Sequence, residues 1–416
     1  MIDTLLKQKR GYSMKTRVAM MFGGKTVEHE VSVISGIQAC MAMDTDKYEI
    51  IPVYMTKDND MYIGEGIGDI SSYKDIPGLL AKSQRVIMIN DGGRVVLMPY
   101  PLKKWGGHKP VQIDIAFPVV HGTNVEDGAL QGYLKTVGVP FVGPDVTASA
   151  VSMDKFITKA VLKMHDIPVL DSEVYTLADY EDMDSLPGRI EEVFGYPVIV
   201  KPVNLGSSVG ISIAKDRTEL VNALDDAFRY ATRVLTEHAI SNLREVNCAV
   251  LGDENEALAS ECEEPIHTKE ILSYEDKYVN GGGGKKGGAK GGQGSKGAGM
   301  ANLARKIPAD LTPEQREEVR ALAVKSFKAL GCNGVSRIDF MIDEDTGKLY
   351  FNEINPIPGS LSFYLWEPVG VPYTELLDRM IDLAMKRQRA EEQVTFTFDT
   401  NILKNANLGG SKGGKR

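Results

Sequence analysis

Two carboxylates and an amide occur at a spacing that suits metal chemistry in the segment 334–359 (GVSRIDFMIDEDTGKLYFNEINPIPG). Asp339 lies in the first of two apolar runs, and Glu353 and Asn355 lie in the second. The acidic stretch between the runs ends in glycine and predicts a hairpin turn. Because side chains alternate along a strand, Phe351, Glu353 and Asn355 are expected on one face. Carboxylate and amide oxygens combined with nucleotide phosphates are ligands that Mg2+ takes, so the hairpin is a candidate magnesium and ATP site.

An arginine accompanies these ligands. Arg337 precedes Asp339 by two residues, so both are expected on the same face of the first strand. The alternative interpretation is a surface hairpin with solvated charges, since acidic hairpins are common. The elements that would place a nucleotide beside the hairpin decide between the two interpretations.

Length and composition limit the class of protein, because 416 residues exceed one core and predict two or three domains. The apolar fraction of 43%, the charged fraction of 25% and the net charge of -9 are those of a globular protein without a nucleic-acid partner. The four cysteines are scattered without metal-ligand spacing, which indicates a reducing compartment. No apolar run approaches a membrane span of about 20 residues, and residues 1–15 lack the core of a secretory signal. We expect a cytoplasmic enzyme that acts on small molecules, without a membrane partner.

The beginning of the chain has the pattern of an α/β unit. An apolar strand at 17–22 leads into Gly23-Gly24-Lys25-Thr26 and then into a helix. Such a turn directs backbone N–H groups at an anion, but Ala19 replaces the glycine that a Walker P-loop requires. A second strand at 113–120 ends at His121-Gly122. Alternating strands and helices up to about residue 147 predict a small α/β domain with its loops at the strand ends.

Two lysines in the middle of the chain are candidate phosphate ligands. Lys155 lies in a predicted helix at 148–165, and Lys201 ends the apolar strand YPVIVKP. A lysine at a strand end can neutralise a triphosphate, or it can simply extend its ammonium to solvent. The loop at 204–210 (NLGSSVG) contains Ser207 and can hold an anion, or it can be an ordinary Ser/Gly turn.

The last third contains one strong helix signal and one stretch without a core. Thr312, Pro313 and Gln315 form a capping box at a helix start, and Gly331 marks the stop. Residues 281–299 are dominated by Gly and Lys, so they are expected to be a mobile spacer rather than a functional element.

In this order the motifs resemble the ATP-grasp fold, and within it the D-alanine:D-alanine ligase family, from about residue 17 to residue 386. The resemblance rests on FGGKTVEHEVSVISG, FPVVHGTNVEDGALQGYL, GPDVTASAVSMDK, VIVKPVNLGSSVGIS, YEDKY and RIDFMIDEDTGKLYFNEINPIPG. It implies an α/β (α+β) protein of three domains, with ATP between the second and third. The expected divisions are a Rossmann-like N-terminal domain at 15–147, a central ATP-grasp subdomain at 148–234, a C-terminal ATP-grasp domain at 235–393 with a mobile active-site loop at 273–302, and a tail at 394–416.

The resemblance also implies the residues that bind ATP and metal. The expected phosphate ligands are Lys155, Lys201 and Lys277. At the nucleoside, the expected residues are Glu237 and the backbone of Ala239 and Ile240 at the adenine, and Glu245 at the ribose, although one residue is inserted before Glu245 relative to the commonest spacing. The expected ligands of two Mg2+ ions, for which Mn2+ is a possible substitute, are Asp339, Glu353 and Asn355.

The implied substrate residues surround a site for two D-amino acids. Glu28 would bind the ammonium of the first D-alanine, in a network with Ser207 and Tyr278. Arg337 and the backbone of Gly359 would stabilise the developing oxyanion, and His121 would line the cleft. In the family a Thr-Ser-x-Ser run helps to hold the second substrate's carboxylate. Here Ser362 is retained at that run, whereas Leu361 and Tyr364 replace the usual Thr and second Ser.

The activity implied by the resemblance is ATP-dependent formation of D-alanyl-D-alanine for peptidoglycan, through an acyl phosphate that loop closure protects from water. A homodimer is expected. Because Leu361 and Tyr364 depart from the family pattern, a related ligase with D-serine or another amino acid as second substrate stays open. A catalytically inactive nucleotide-binding module is the third possibility.

Overall fold

Three β-sheets, of seven, four and five strands, organise the protein. The computed structural model describes residues 15–102, 109–182, 185–206, 209–266, 305–401 and 404. The predicted loop at 273–302 and the tail at 405–416 lie outside these residues. No helix within the described ranges is both long and apolar enough to cross a membrane.

The seven-stranded sheet lies in the first third of the chain, in the order β6-β5-β4-β3-β2-β1-β7. Its strands are β1 Thr16–Gly23, β2 Tyr48–Met55, β3 Met61–Ile63, β4 Gln84–Asp91, β5 Arg94–Pro99, β6 Val111–Gln112 and β7 Ile115–Pro118. The helices are α1 His29–Ala42, α2 Ile76–Lys82 and α3 Ala129–Val137, with a 3-10 helix at Ile70–Asp75. β1 pairs in parallel with β2 and β7, and its apolar run is buried, as expected where both faces are covered. The segments that follow β1 and β7 therefore meet at one edge of the sheet.

The four-stranded sheet, in the order β10-β9-β11-β8, is antiparallel throughout. Its strands are β8 Ser172–Thr176, β9 Val198–Pro202, β10 Ser212–Ala214 and β11 Arg233–His238. The associated helices are α4 Val146–Met153, α5 Lys155–Met164, α6 Leu177–Tyr180, α7 Leu186–Phe194 and α8 Arg217–Phe228. The domain boundary expected at 234/235 falls inside β11, which pairs with β9 on one side and β8 on the other. That boundary needs correction, because the backbone hydrogen bonds of the sheet continue to His238.

The five-stranded sheet, in the order β14-β13-β12-β15-β16, contains the predicted hairpin. Its strands are β12 Leu243–Gly252, β13 Ala257–Pro265, β14 Arg305–Lys306, β15 Gly334–Asp343 and β16 Lys348–Asn355, and the later helices are α9 Pro313–Ala329 and α10 Tyr373–Glu391. The capping box that begins α9 is confirmed, since Thr312 Oγ1 accepts from the Gln315 N–H and Gln315 Oε1 accepts from the Thr312 N–H. Apolar side chains of one sheet face pack against α9. The opposite face carries polar residues such as Asn247 and Asp339 at one end, where we call it the polar face, and apolar Ala249, Leu251 and Val335 at the other.

A bulge in the hairpin changes one expected facing. Asp339 is opposite Glu353, but Phe340 is opposite Phe351, so the register shifts by one residue between the two pairs. Phe351 therefore packs edge-on against Phe340 in the apolar core, with ring centroids 6.3 Å apart. The expectation that Phe351 shares a face with Glu353 is wrong, because the extra residue reverses the alternation of side chains.

The C-terminal segment returns to the N-terminal sheet. Two 3-10 helices, Gly359–Leu365 and Glu367–Val369, precede α10. Leu361, Trp366 and Leu377 are buried in the same hydrophobic cluster as Phe22 of β1. Arg387 of α10 lies over the ring of Phe141, near the end of the N-terminal region, and donates a hydrogen bond to the carbonyl of Gly143. The first and last parts of the chain thus share one core, which fixes the segment at 357–364 against the edge where β1 and β7 end.

Candidate active site

Glu237 is the centre of a buried cluster on the four-stranded sheet. It is 1% exposed, and its two carboxylate oxygens accept hydrogen bonds from Lys159 and Lys201. Burial opposes ionisation of Glu237, yet the charges of Lys201 and Lys159 bring its pKa below the usual value. The pKa of Lys159 is lowered to about 8, chiefly by burial and also by the charge of Lys201, while Glu237 opposes the shift. Sequence reasoning missed Lys159, because its place one turn after Lys155 on an amphipathic helix carried no motif.

Lys201 contacts the five-stranded sheet as well as Glu237. The adjacent strands β9 and β11 place Lys201 beside Leu235 in register, and its Nζ lies 3.5 Å from Asn352 Oδ1 of β16. The bulge in β16 that buries Phe351 is what leaves Asn352 beside this ammonium. Lys201 is therefore at the junction of the two sheets, where a phosphate ligand is expected.

Lys155 connects the same two parts of the protein. It is the first residue of α5, where Asp154 caps the helix by accepting from the N–H groups of Phe156 and Ile157. Its Nζ donates to the carbonyl of Leu205 at 2.6 Å and lies 3.4 Å from Glu353 Oε2. A predicted phosphate ligand and a predicted metal ligand are therefore in contact.

The predicted metal ligands converge on the polar face of the hairpin. Asp339 and Glu353 are directly opposite each other, and Asn355 is opposite Arg337. Arg337 binds Asp339 with two hydrogen bonds of 2.7 Å, and Asn355 Nδ2 donates to Asp339 at 3.1 Å. Burial raises the pKa of Asp339 to about 6; Arg337 opposes this shift, and Glu353 adds to it. This is a pair of carboxylates that repel each other when both are ionised, and a cation relieves that repulsion.

These donors fit magnesium. Two carboxylates and one amide oxygen supply hard oxygen ligands, and Mg2+ completes its octahedron with water and phosphate. No group of three or more His, Cys, Asp or Glu side chains that could hold an ion occurs among the described residues. Asp339, Glu353 and Asn355 would leave part of an octahedron for water and nucleotide phosphates to complete.

Glu28 lies between two glycines from different parts of the chain. A Cβ added at Gly122 would be 2.9 Å from Glu28 Oε2, and one added at Gly206 would be 3.0 Å from the same oxygen. Gly122 follows β7 and has φ +87°, whereas Gly206 belongs to the loop after β9. Glu28 is buried, so its carboxylate is confined where these two loops meet. This is the position at which an ammonium is expected to bind.

His121 and Glu126 both bind the backbone of the segment after β16. His121 is buried, and its Nδ1 donates to the Ile357 carbonyl at 2.8 Å while Nε2 faces Ser35 Oγ at 3.1 Å. Burial lowers the pKa of His121 to about 4, so the ring is neutral. Glu126 accepts from the N–H groups of Gly122 and Ile357 at 2.8 and 2.9 Å. His121 and Glu126 together hold Ile357 from both its carbonyl and its N–H, and we call this pair the clamp; the lining role of His121 stays a prediction, and sequence reasoning missed Glu126.

The segment that follows Ile357 has a backbone conformation that residues other than glycine rarely adopt. Ser360, Leu361 and Ser362 all have φ near +50°, in the left-handed region. The Ser360 N–H donates to Ser35 Oγ at 2.9 Å, and its hydroxyl donates to Gln38 at 2.7 Å. Leu361 is buried in the shared core, and Ser362 Oγ has no hydrogen-bond partner among the described residues. Gly359 directly precedes this run and lies two residues after Ile357.

The structure describes some of the remaining predicted site residues and not others. Glu245 lies on β12 opposite Met341, two positions from Asn247 on the polar face. The N–H of Ala239 donates to the Pro197 carbonyl at 2.9 Å, so an adenine in contact with this segment would use other backbone atoms, including those of Ile240. Ser207, Lys277 and Tyr278 lie outside the described residues.

The protein has three sheets, and two lysines meet an acidic hairpin where the four-stranded and five-stranded sheets adjoin. This is the architecture of an ATP-grasp protein. Solved structures with this fold include the D-alanine-D-alanine ligase from Coxiella burnetii, with TM-score 0.72 and 28% identity, covering 91% of this chain and 96% of that one. The VanG D-Ala:D-Ser ligase from Enterococcus faecalis matches with TM-score 0.72 and 28% identity, covering 89% and 100%. The fold and the site thus define the class as an ATP-grasp ligase.

Sequence comparison narrows the class. Residues 17–144 match the family D-ala D-ala ligase N-terminus, and residues 161–288 and 295–382 match D-ala D-ala ligase C-terminus. The chain is 39% identical over 390 residues to a D-alanine–D-alanine ligase of Caldicellulosiruptor bescii, covering 92% of this chain and 99% of the relative. It is 40% identical over 386 residues to one of Acetivibrio thermocellus, covering 90% and 96%. This chain belongs to the D-alanine–D-alanine ligase family.

Proposed function

We propose that this protein uses ATP to join two molecules of D-alanine into D-alanyl-D-alanine, a precursor for peptidoglycan. The observation that supports the proposal is the 3.4 Å contact between Lys155 of α5 and Glu353 of β16, which brings the predicted phosphate-binding cation and a predicted metal-binding carboxylate together. The family match to both halves of the chain supplies the substrates.

The chemistry proceeds in two steps. The carboxylate of the first D-alanine attacks the γ-phosphorus of ATP, which gives an acyl phosphate and ADP. The amine of the second D-alanine then attacks the acyl carbon, phosphate leaves and a proton is lost. Lys155 and Lys201 neutralise the transferring phosphoryl group, and Arg337 with the Gly359 N–H stabilises the oxyanion. Glu28 binds the ammonium of the first D-alanine, with Ser207 and Tyr278, and Lys277 adds a cation at the phosphates.

In this proposal Asp339, Glu353 and Asn355 hold two Mg2+ ions, for which Mn2+ can substitute. The bound metal neutralises phosphoryl charge as a Lewis acid. Glu237, Glu245 and the backbone of Ala239 and Ile240 bind the nucleoside. We further propose a homodimer that works in the cytoplasm, where ATP is available.

The test is phosphate release from Mg-ATP by the purified full chain, with products identified by mass. D-alanine alone should give phosphate and D-alanyl-D-alanine in equal amounts, whereas L-alanine should give neither. Phosphate without dipeptide, or no turnover with D-alanine in any combination, would contradict the proposal. Light scattering of the same preparation tests the homodimer separately.

The departure at Tyr364 favours a second candidate. Its hydroxyl is 3.3 Å from Glu263, in a buried polar cluster. A polar environment next to the second subsite suits a polar acceptor, and one relative of known structure is a D-Ala:D-Ser ligase. A reaction with D-alanine and D-serine in equal amounts distinguishes the two candidates. If D-serine is the preferred acceptor, the mixed dipeptide exceeds D-alanyl-D-alanine. Binding of Mg-ATP without turnover of any pair would instead indicate an inactive module.

A further inference from the structure

Glu263, Arg305 and Tyr364 form a buried charged cluster that the proposed chemistry leaves without a role. Arg305 Nη1 donates to Glu263 Oε2 at 2.8 Å, and its guanidinium lies 4.0 Å from the centroid of the Tyr364 ring. The Tyr364 hydroxyl donates to Glu263 Oε1. Glu263 is 3% exposed, so this is not a solvated surface ion pair.

The cluster borders the reactive centre. Glu263 is opposite Asn247 on β12, and Asn247 is opposite Asp339 on β15, so all three lie on the polar face of one sheet. Asn247 Nδ2 also donates to Glu263 Oε1 at 3.1 Å. Glu263 adds to the negative field at Arg337 and Asp339, which places the cluster within electrostatic range of both. A ligand group bound here would therefore lie beside the oxyanion that Arg337 stabilises.

The composition of the cluster indicates an anionic ligand group. A planar guanidinium presents a fork of N–H donors that matches a carboxylate and can serve more than one. The Arg305 side chain is 11% exposed, against 3% for that of Glu263, so the cation is the more accessible member of the pair. The serine retained from the family run, Ser362, is fully buried in the left-handed segment. The carboxylate of the second amino acid thus needs another partner at this side of the site.

We propose that Arg305 binds the carboxylate of the acceptor amino acid, and that Glu263 and Tyr364 are positioning residues that hold its guanidinium beside Arg337. This inference rests on the proposed function, in which the acceptor attacks the acyl phosphate. It makes acceptors with a free carboxylate the preferred class, whatever their side chain. Acceptors without a carboxylate bind poorly, because they have no group that can pair with Arg305.

The experiment is a competition between D-alanine and D-alaninamide as acceptors, with D-alanine as donor. D-alaninamide retains the attacking amine, lacks the carboxylate and cannot serve as donor. The ratio of the two products is read by mass. For R305Q the preference for D-alanine should fall about 10- to 100-fold, as expected for a lost charge-assisted contact. E263Q and Y364F should raise the half-saturating acceptor concentration and leave the values for donor and ATP unchanged.

The matched control is R244Q. Arg244 of β12 makes an ion pair of 2.7 Å with Glu264 of β13, which follows Glu263 and therefore faces the other side of the sheet, and replacement of Arg244 should leave the product ratio at the wild-type value. The ratio is internal to each reaction, so a smaller folded fraction does not alter it. R305K retains the cation and provides the ratio where R305Q has no turnover; it should keep most of the preference.

The outcomes separate the two levels of the proposal. Absence of dipeptide from the wild-type protein overturns the proposed function. An active wild type with an unchanged product ratio in R305Q, or a ratio in R305K that falls as far as R305Q should, overturns the role of Arg305 alone. A rise in the half-saturating donor concentration equal to that for the acceptor would also overturn it.

Discussion

Glu237 binds Lys159 and Lys201 at the same time, with one ammonium at each carboxylate oxygen. All three side chains are buried, so each charge depends on the others for solvation. The trio connects α5 with β9 and β11 and thereby sets the position of Lys201 at the junction of the two sheets.

Replacement of Glu237 by alanine leaves two buried ammonium groups without their carboxylate. We expect E237A to lower the free energy of unfolding by about 3–5 kcal/mol, measured by urea denaturation of the ligand-free protein. E191Q removes the carboxylate of an exposed pair with Arg217 and should leave the unfolding midpoint nearly unchanged. Equal midpoints for E237A and E191Q would mean that the lysines find other partners.

Replacement of Asp339 by asparagine removes one carboxylate from the metal site and the bidentate partner of Arg337. We expect D339N to reduce phosphate release about 100-fold or more and to raise the half-saturating Mg2+ concentration. D343N is the matched control, because Asp343 lies on the same strand but accepts from Thr346 in the turn. If D339N loses activity but keeps the half-saturating Mg2+ concentration of the wild type, Asp339 is not a metal ligand.

The Glu126 carboxyl makes stability depend on pH. Burial, with the nearby charge of Glu28, raises its pKa from 4.5 to about 8, although its two backbone hydrogen bonds oppose the shift. A raised pKa means that the folded state binds the proton more tightly than the unfolded state. The stability from this group is therefore complete below about pH 4.5 and is lost progressively as the pH rises towards 8.

Difference curves isolate that contribution. Urea midpoints of the wild type and E126Q, measured between pH 5 and 9, should diverge in favour of E126Q as the pH rises, because glutamine cannot ionise. Parallel curves would show that Glu126 stays ionised in the folded protein. D127N, at the adjacent half-buried carboxylate, provides the baseline.

A methyl group at Gly206 would press on Glu28. We expect G206A to shift the carboxylate by a few tenths of an ångström, since the new Cβ is 3.0 Å from Oε2. The half-saturating concentration of the donor D-alanine should rise about 10-fold or more, because small displacements of binding groups are costly. G132A is the control, since a Cβ at this helical position meets nothing within 4 Å and should slightly stabilise α3. An unchanged donor constant in G206A would remove Glu28 from the ammonium site.

Much of the site could be predicted because local patterns carry it. The alternation in β15 places Arg337 and Asp339 together, and the capping box places the start of α9. Both depend on residues within a few positions of each other, where backbone geometry alone sets the neighbours. The bulge at β16 could not be predicted this way, because the register shift that brings Phe351 against Phe340 is visible only in the pairing of β16 with β15.

The sequence by itself indicated the family through its motifs, and the periodicity of its apolar residues indicated the two strands of the hairpin; the metal chemistry of that hairpin stays a prediction. Only the tertiary structure decided which charges are paired. Glu237 meets Lys159 across 78 positions, and Glu126 reaches Ile357 across 231. Such contacts depend on how separate sheets pack, and the burial that packing produces is what shifts the pKa of Glu126 and of Asp339.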